Sequence, residues 1–402
     1  MLANILNVII WAGGVQSLVL AALLLTRREN RTANRYLVAL LLTFSGQGLL
    51  IAYGNRAFDL AHPHLTRISW VLPLLLSPAF YLYVRKLTHQ NPRHCPKDAL
   101  HFIPAAAYGL YLLPYFLLPA AAKRAIMAAP GYGGEAYYWD ELKVLQGLCY
   151  LVACFVLLRT HQRTIRQAFS DIARIRLRWL TRFLYFLVGV WAIGFGAVQF
   201  SLLPVDVGFE PVLLVYAAAS VGLYAMGFTG MSQPLVFNAG ALAVSNAGAP
   251  AVPPPDPPAG EPESPAKEKY TRSGLSGDQL EQYRVLLSAT MTRAEPFLKN
   301  DLTIDELAQT TGIPRHHLSQ VINDQFGMNF YDYVNTYRVE KAKSLLHSPR
   351  YRDQTILSLA FEAGFNSKTT FNTVFKKSTG LTPSQFANKT AAMGSVPSAR
   401  TT

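Results

Sequence analysis

Apolar positions fall in blocks over the first 231 residues of the chain and at helical spacing near its end. The blocks are Leu2–Thr26, Tyr36–Gly54, Ile68–Val84, Ala99–Pro119, Leu142–Leu158, Phe183–Leu203 and Pro211–Met231. Each approaches the roughly 20 residues that an α-helix needs to cross about 30 Å of hydrocarbon. The fifth is interrupted by Gln146 and Gly147. Past Met231 the pattern stops. Asn246–Lys269 is dominated by Pro, Ala and Gly, with no aromatic residue until Tyr270. Such a composition cannot bury enough apolar surface to offset the entropy of ordering it. The pattern predicts an all-α protein in four parts. These are a seven-helix transmembrane bundle over 1–231, a disordered Pro-rich linker over 232–269, a compact helical domain over 270–390 and a disordered tail over 391–402.

Charge tests the orientation of such a bundle. The chain carries 37 Lys and Arg against 24 Asp and Glu, a net +13. Residues 1–231 hold 20 and 9 of these, a net +11, which leaves 17 and 15, a net +2, for residues 232–402. The first, third and fifth connections carry Arg27, Arg28, Arg31 and Arg35, then Arg85, Lys86, Arg93 and Lys97, then seven arginines between Arg159 and Arg182. The even connections hold only Arg56, Arg67, Lys123, Arg124 and Lys143. Positive residues stay cytoplasmic, so the amino terminus is expected outside and, after seven crossings, the carboxyl terminus inside. The first block lacks a basic start and is followed by its arginines, so it reads as a span rather than a cleaved signal. The fifth connection reads as a partly helical cytoplasmic connector whose arginines lie near anionic headgroups. Its alternative reading is a contact surface for the C-terminal domain or for DNA.

The spans contain almost no charges, and Asn7, Gln16, Gln47, Gln146 and Gln199 are polar without being ionisable. An ion-coupled transporter usually places ionisable side chains at mid-membrane, so their scarcity argues against a pump. Asn and Gln at such depths serve as interhelical hydrogen-bonding groups. On the outward side, Tyr137, Trp139, Asp140, Glu141, Asp206 and Glu210 are the ligand-sensing candidates, although the aromatics also suit an interfacial belt. Cys95, Cys149 and Cys154 have no metal-ligand spacing and imply no disulfide framework. Zinc-protease, phosphate-loop and serine-elbow signatures are missing, so neither enzyme activity nor a cofactor or metal is expected.

Two stretches of the C-terminal region repeat each other. "TIDELAQTTGIPRHHLSQVINDQFG" begins at Thr303 and "TILSLAFEAGFNSKTTFNTVFKKSTG" at Thr355. Thr303 with Glu306 forms a capping-box pattern, and Ile304, Leu307 and Ala308 form a helical apolar stripe. Gly312 and Gly364 stand where the first helix of each repeat should stop, a position that favours positive φ. Second helices are predicted from Pro314 and from near Ser367. Helix, glycine turn and helix make a helix-turn-helix, whose second helix enters the DNA major groove. Between the repeats, Phe330, Tyr333, Val334, Tyr337, Ala342 and Leu345 trace one face of a helix about 25 Å long. That helix can hold two recognition helices about one DNA turn, ~34 Å, apart.

"LTIDELAQTTGI", "NTYRVEKAKSLL" and "LAFEAGFNSKTTFNTVFKKSTGLTPSQF" resemble the DNA-binding domain of the AraC/XylS family of bacterial transcription regulators, a likeness covering Tyr270–Asn388. Seven spans followed by this domain resemble the membrane-embedded branch of the family. The soluble sugar-binding barrel of other members has no counterpart here, which leaves the effector unassigned. Carried over by motif position, the resemblance implies base reading by Arg315, His316, Ser319, Gln320 and Asn323 in the first recognition helix. In the second it implies Lys368, Thr369, Asn372 and Thr373, with Lys376 and Lys377 on phosphates. Asn and Gln pair with adenine, and Arg and Lys with guanine. The function expected is a membrane-tethered, sequence-specific transcription regulator at the bacterial inner membrane, with its DNA-binding domain in the cytoplasm. Expected partners are double-stranded DNA, the bilayer and an unidentified signal, with room for RNA polymerase and a second copy of the chain. The competing readings are a transporter or membrane enzyme with a regulatory tail, and a membrane part that serves only as an anchor.

Overall fold

A computed structural model describes residues 2–27, 30–54, 56–89, 95–130, 132, 136–173, 175–200, 212–231, 275–348 and 354–394. Within these the chain is helical and forms two compact units, one of residues 1–161 and 177–239, the other of residues 162–176 and 240–402. The expected division after residue 231 thus has an exception, because 162–176 packs with the C-terminal unit. The Pro-rich linker expected over 232–269 lies outside the described residues.

The first unit runs α1 (Leu2–Thr26), α2 (Arg31–Tyr53), α3 (Arg56–Ala61), α4 (Ile68–Val71), α5 (Pro73–Thr88), α6 (Ile103–Tyr111), α7 (Leu113–Phe116), α8 (Ala120–Ala128), α9 (Ala136–Ala168), α10 (Arg178–Phe200) and α11 (Val212–Met231). Its core gathers Ile10 and Leu20 of α1, Leu41 and Phe44 of α2, Val84 of α5 and Leu184 of α10. Small residues let these helices approach: a Cβ on Gly13 would run into the Ser220 side chain of α11. Polar groups inside are spent between helices. Gln47, 2% exposed, donates to the Tyr216 hydroxyl at 3.1 Å and to the Ser69 carbonyl at 3.0 Å, and Gln146 donates to the Leu74 carbonyl at 3.2 Å.

Five helical stretches among the described residues are long and apolar enough to cross a membrane: Leu2–Thr26, Arg31–Tyr53, Ile68–Thr88, Trp139–Ala168 and Arg178–Ala197. The last block forms the 20-residue α11. The fourth block differs from the single span expected of it. It folds as a 3-10 turn over Pro96–Phe102 followed by α6 and α7, broken at Leu112. Pro104 and Pro114 lie in the first turns of α6 and α7, where a missing N–H is tolerated, and neither can continue a preceding helix. The fifth block is longer than its apolar run. The 33-residue α9 extends about 50 Å, well past a bilayer core, and takes in Arg159, Arg163 and Arg166.

The second unit contains α12 (Gly277–Arg293), α13 (Ile304–Thr311), α14 (Arg315–Phe326), α15 (Phe330–His347), α16 (Ile356–Glu362), α17 (Lys368–Thr379) and α18 (Pro383–Gly394). Residues 391–394, expected to begin a disordered tail, belong to α18, which continues through the helix-forming Ala391, Ala392 and Met393 to Gly394. Residues 395–402 lie outside the described residues.

Two cores share one helix. Leu307, Leu318 and Val321 pack with Phe330 and Val334 from the first half of α15. Leu359, Phe371 and Phe375 pack with Val339, Ala342 and Leu345 from its second half. Local signals set each boundary. The Thr303 hydroxyl accepts from the Glu306 backbone N–H while the Glu306 carboxylate accepts from the Thr303 N–H at 3.0 Å, so two orphan donors are satisfied together. Burial alone would raise the Glu306 carboxyl, but hydrogen bonds from Lys299 at 2.6 Å and from the Thr303 backbone hold it below its ordinary value. The box therefore persists at neutral pH and is lost only as pH falls through that lowered value. Thr355 and Ser367 cap α16 and α17 without a reciprocal bond, their side chains accepting from Ser358 N–H and Thr370 N–H.

The two turn glycines are needed for different reasons. Gly312 has φ 70° with open space around its Cβ position, whereas Gly364 has φ 86° and a Cβ there would meet the Phe297 carbonyl and lie 2.9 Å from Leu298 Cα. Gly312→Ala should cost about 1–2 kcal/mol, the left-handed penalty alone, and Gly364→Ala distinctly more. Thr303→Ala should cost about 1 kcal/mol. Hydrogen exchange of the α13 and α16 amides in the three variants checks the order.

Candidate nucleic-acid interface

Each helix-turn-helix places its second helix by burying one stripe and leaving the opposite one free. In α14, Leu318, Val321 and Ile322 are buried, while Arg315, His316 and Asn323 are exposed and Ser319 and Gln320 half-buried. In α17, Thr370, Phe371 and Phe375 are buried, while Lys368, Thr369, Thr373, Lys376 and Lys377 are exposed and Asn372 is half-buried. The residues expected to read bases therefore lie away from the core on both helices, as the helical period requires.

The two helices differ in how far their polar groups are already committed. On α14, Arg315 pairs with Asp305 of α13 at 3.3 Å. Asn323 donates to the Ser319 carbonyl at 2.8 Å, which ties the Asn323 side chain to its own helix. The His316 and His317 rings lie 3.9 Å apart at 56°, and His317 also stacks on Tyr283 of α12 at 5.8 Å. Burial, with the neighbouring His316 adding to it, holds the His317 imidazole below its ordinary value. Its ring contacts make it a packing residue. No group of three or more His, Cys, Asp or Glu placed to hold a metal occurs among the described residues.

On α17, Thr373 donates to the Thr369 carbonyl at 2.8 Å, and Lys377 pairs with Asp332 of α15 at 3.1 Å although its side chain is 70% exposed. The side chains of Lys368, Asn372 and Lys376 make no such contact among the described residues. They carry free donors toward solvent at the start, middle and end of one face, which suits docking to an acceptor-rich groove.

Among the outward-side candidates of the first unit, Trp139 stacks on Tyr108 with ring centroids 4.0 Å apart. Asp140 pairs with Lys143 at 2.7 Å, and Glu141 accepts from Gln199 at 2.8 Å. These three meet internal partners rather than one another. Asp206, Glu210 and the Tyr137 side chain lie outside the described residues. A cavity of about 310 Å³ that periodicity had not revealed lies between α2, α5, α9, α10 and α11. Phe44, Phe80, Tyr150, Phe183 and Trp191 line it, and Lys143 is the charged side chain among its lining. A pocket shared by five helices leaves no mark in any single helix's pattern.

With this geometry in place, likeness to known proteins is informative. A family model described as a helix-turn-helix domain matches residues 307–389, from within α13 into α18. The probable transcription factor PqrA of Proteus vulgaris is 36% identical over 86 residues, covering 21% of this chain and 67% of PqrA. Through this domain the chain belongs to the AraC/XylS family of helix-turn-helix proteins. Uncharacterized HTH-type transcriptional regulators of Staphylococcus aureus strains COL and MSSA476 are each 37% identical over 86 residues, 21% of this chain. The chain spans only 11% of the length of those staphylococcal relatives. No solved structure matches the chain.

If α17 reads bases, Lys368→Ala and Asn372→Ala should each weaken a specific site by about 1–3 kcal/mol, roughly tenfold to a hundredfold, with little loss on bulk DNA. Lys376→Ala should instead weaken all sequences alike and lower the salt slope by about one. Competition binding over a salt series separates the two classes, and equal loss on specific and bulk DNA for Lys368→Ala would remove it from the base readers.

Proposed function

We propose that this protein is a membrane-embedded transcription regulator, in which the first unit crosses the bacterial inner membrane and the helix-turn-helix pair reads DNA at its cytoplasmic face. One observation carries the membrane part of the reading. The outward face of α1 is apolar along its whole length, with Leu2, Ile5, Val8, Trp11, Val15 and Leu18 all exposed at three- and four-residue steps. A soluble surface rarely presents so large a continuous apolar patch, whereas hydrocarbon is its natural surrounding. An inward carboxyl terminus needs an odd number of crossings, and the broken fourth segment has the reach for one. Its 3-10 turn, α6 and α7 together extend about 30 Å. The arginine-rich odd connections support the same orientation.

The cavity favours sensing over bare anchoring. An apolar space of about 310 Å³ with one ammonium group at its wall is of the size and character that takes a small amphiphile. Base reading by the α14 and α17 candidates, with phosphate contacts from Lys376 and Lys377, is the output. The combined test is genome-wide crosslinking of the full-length protein beside a Lys368→Ala, Asn372→Ala double variant, together with carbonate extraction of membranes. Discrete sites lost in the double variant and a carbonate-resistant pellet are expected. A chain that extracts with carbonate is not membrane-embedded, and an intact chain that crosslinks to no discrete site is not a tethered regulator.

A further inference from the structure

The connector between α9 and α10 belongs to the C-terminal unit, and it is held there by buried contacts. Phe169 forms an isolated antiparallel bridge with Thr303, and the Ser170 backbone N–H donates to the Leu302 carbonyl at 3.1 Å. Ser170 is fully buried. Its carbonyl accepts from Arg338 Nη1 at 3.2 Å and from Asn335 Nδ2 at 3.3 Å, and its hydroxyl accepts from Arg338 Nη2 at 3.0 Å. Asp171 follows, its carboxylate accepting from Asn366 Nδ2 at 3.0 Å. At the preceding turn of α9, the Arg166 guanidinium lies over the Tyr331 ring, 5.9 Å from its centroid.

The receiving groove is built around one side chain. Arg338, 1% exposed, also donates to the carbonyls of Phe297 at 2.8 Å, Lys299 at 2.7 Å and Asn300 at 3.2 Å. Burial pulls its guanidinium down to about 10, with the Asp171 charge opposing that shift. A guanidinium this deep needs its donors satisfied, because a buried donor left unpaired keeps the full cost of its lost hydration. Carbonyls of the domain itself satisfy one side of the fork. The other side takes the backbone carbonyl and hydroxyl of Ser170. The groove thus fits an extended strand with a small hydroxyl residue at the centre and an acid after it, and the α9–α10 connector supplies both.

The three docked residues touch three parts of the domain that bear on the recognition helices: the Leu302–Thr303 cap of α13, the shared helix α15, and Asn366 in the turn before α17. We propose that this groove is a docking site for Phe169–Ser170–Asp171, a second attachment of the DNA-binding domain beside the linker, through which a change in α9 or α10 reaches the two recognition helices. The proposal rests on the membrane reading above, because the chain ties this segment at both ends to helices read as spans.

The test uses the full chain in membrane vesicles with a protease site inserted within residues 246–269. Carbonate extraction of the uncut chain comes first and judges the membrane reading alone. After cleavage, the C-terminal fragment should sediment with the vesicles and remain there at roughly 1 M salt, where exposed charge contacts are screened to about 3 Å. Ser170→Trp, too large for a fully buried position, should raise the fragment in the supernatant at least about tenfold. Asp171→Ala should do so to a lesser degree. Both substitutions leave the fragment's own sequence intact, circular dichroism of the released fragment controls for its folding, and carbonate resistance of each variant controls for the membrane part. A wild-type fragment that leaves the vesicles on cleavage overturns the proposal. So does a Ser170→Trp fragment that stays as firmly as the wild type.

Discussion

Everything in the C-terminal domain depends on α15 being buried twice. An isolated helix-turn-helix of some 25 residues has too little apolar surface to be stable alone. Here each motif completes its core with half of the same helix, Phe330 and Val334 for one and Val339, Ala342 and Leu345 for the other. The helix is therefore both core and ruler. Its 18 residues rise about 27 Å, and a change in its length or in the seam between the cores would alter the spacing between α14 and α17. Arg338 sits at that seam, one turn beyond Val334 and one before Ala342, on the stripe that otherwise carries apolar residues. A charge there is expensive unless fully hydrogen-bonded, which makes its acceptors a condition of the fold rather than an ornament of it.

Most of this domain was legible in the sequence because its signals are local. Thr303, Gly312, Ser367 and Gly380 act within four residues of themselves, and the structure places caps and helix ends at each of them. The stripe on α15 was legible for the same reason. What could not be read depends on contacts distant in sequence. Ser170 and Arg338 are 168 positions apart, and Asp171 and Asn366 are 195 apart. The one visible trace was an arginine in register with an apolar stripe, which announces a buried charge without naming its partner. The fourth apolar block shows the other limit, in where its helix breaks. Its composition is that of a span, but Pro104 and Pro114 divide it, and hydropathy averaged over a window does not register where a backbone N–H is missing.

The candidate site shows the same division. Helical period alone separated the buried face of α17 from Lys368, Asn372 and Lys376. It did not show that Arg315 is held by Asp305 or Lys377 by Asp332, contacts that either residue would have to give up to bind phosphate or base, at a cost to the net gain. The free donors of α17 carry no such penalty. On geometry alone, the second helix-turn-helix is therefore the better prepared of the two to discriminate sequence.

The charge balance has a use on the proposed membrane reading. Residues 232–402 carry 17 basic and 15 acidic side chains, a net +2, while the odd connections between the apolar blocks are dense in arginine. A cation beside an anionic bilayer gains about 1 kcal/mol for each Lys or Arg at the surface. A strongly basic DNA-binding domain on a short tether would thus be drawn onto the headgroups by the same charge that serves it on DNA. Near-neutrality removes that competition, and it also weakens nonspecific DNA binding. Affinity must then come from the local donors of α14 and α17 and from whatever holds the two helices in register. Weak electrostatics and a buried, hydrogen-bonded seam are two sides of one solution. They leave the spacing of the recognition helices, rather than bulk charge, as the quantity on which DNA binding turns.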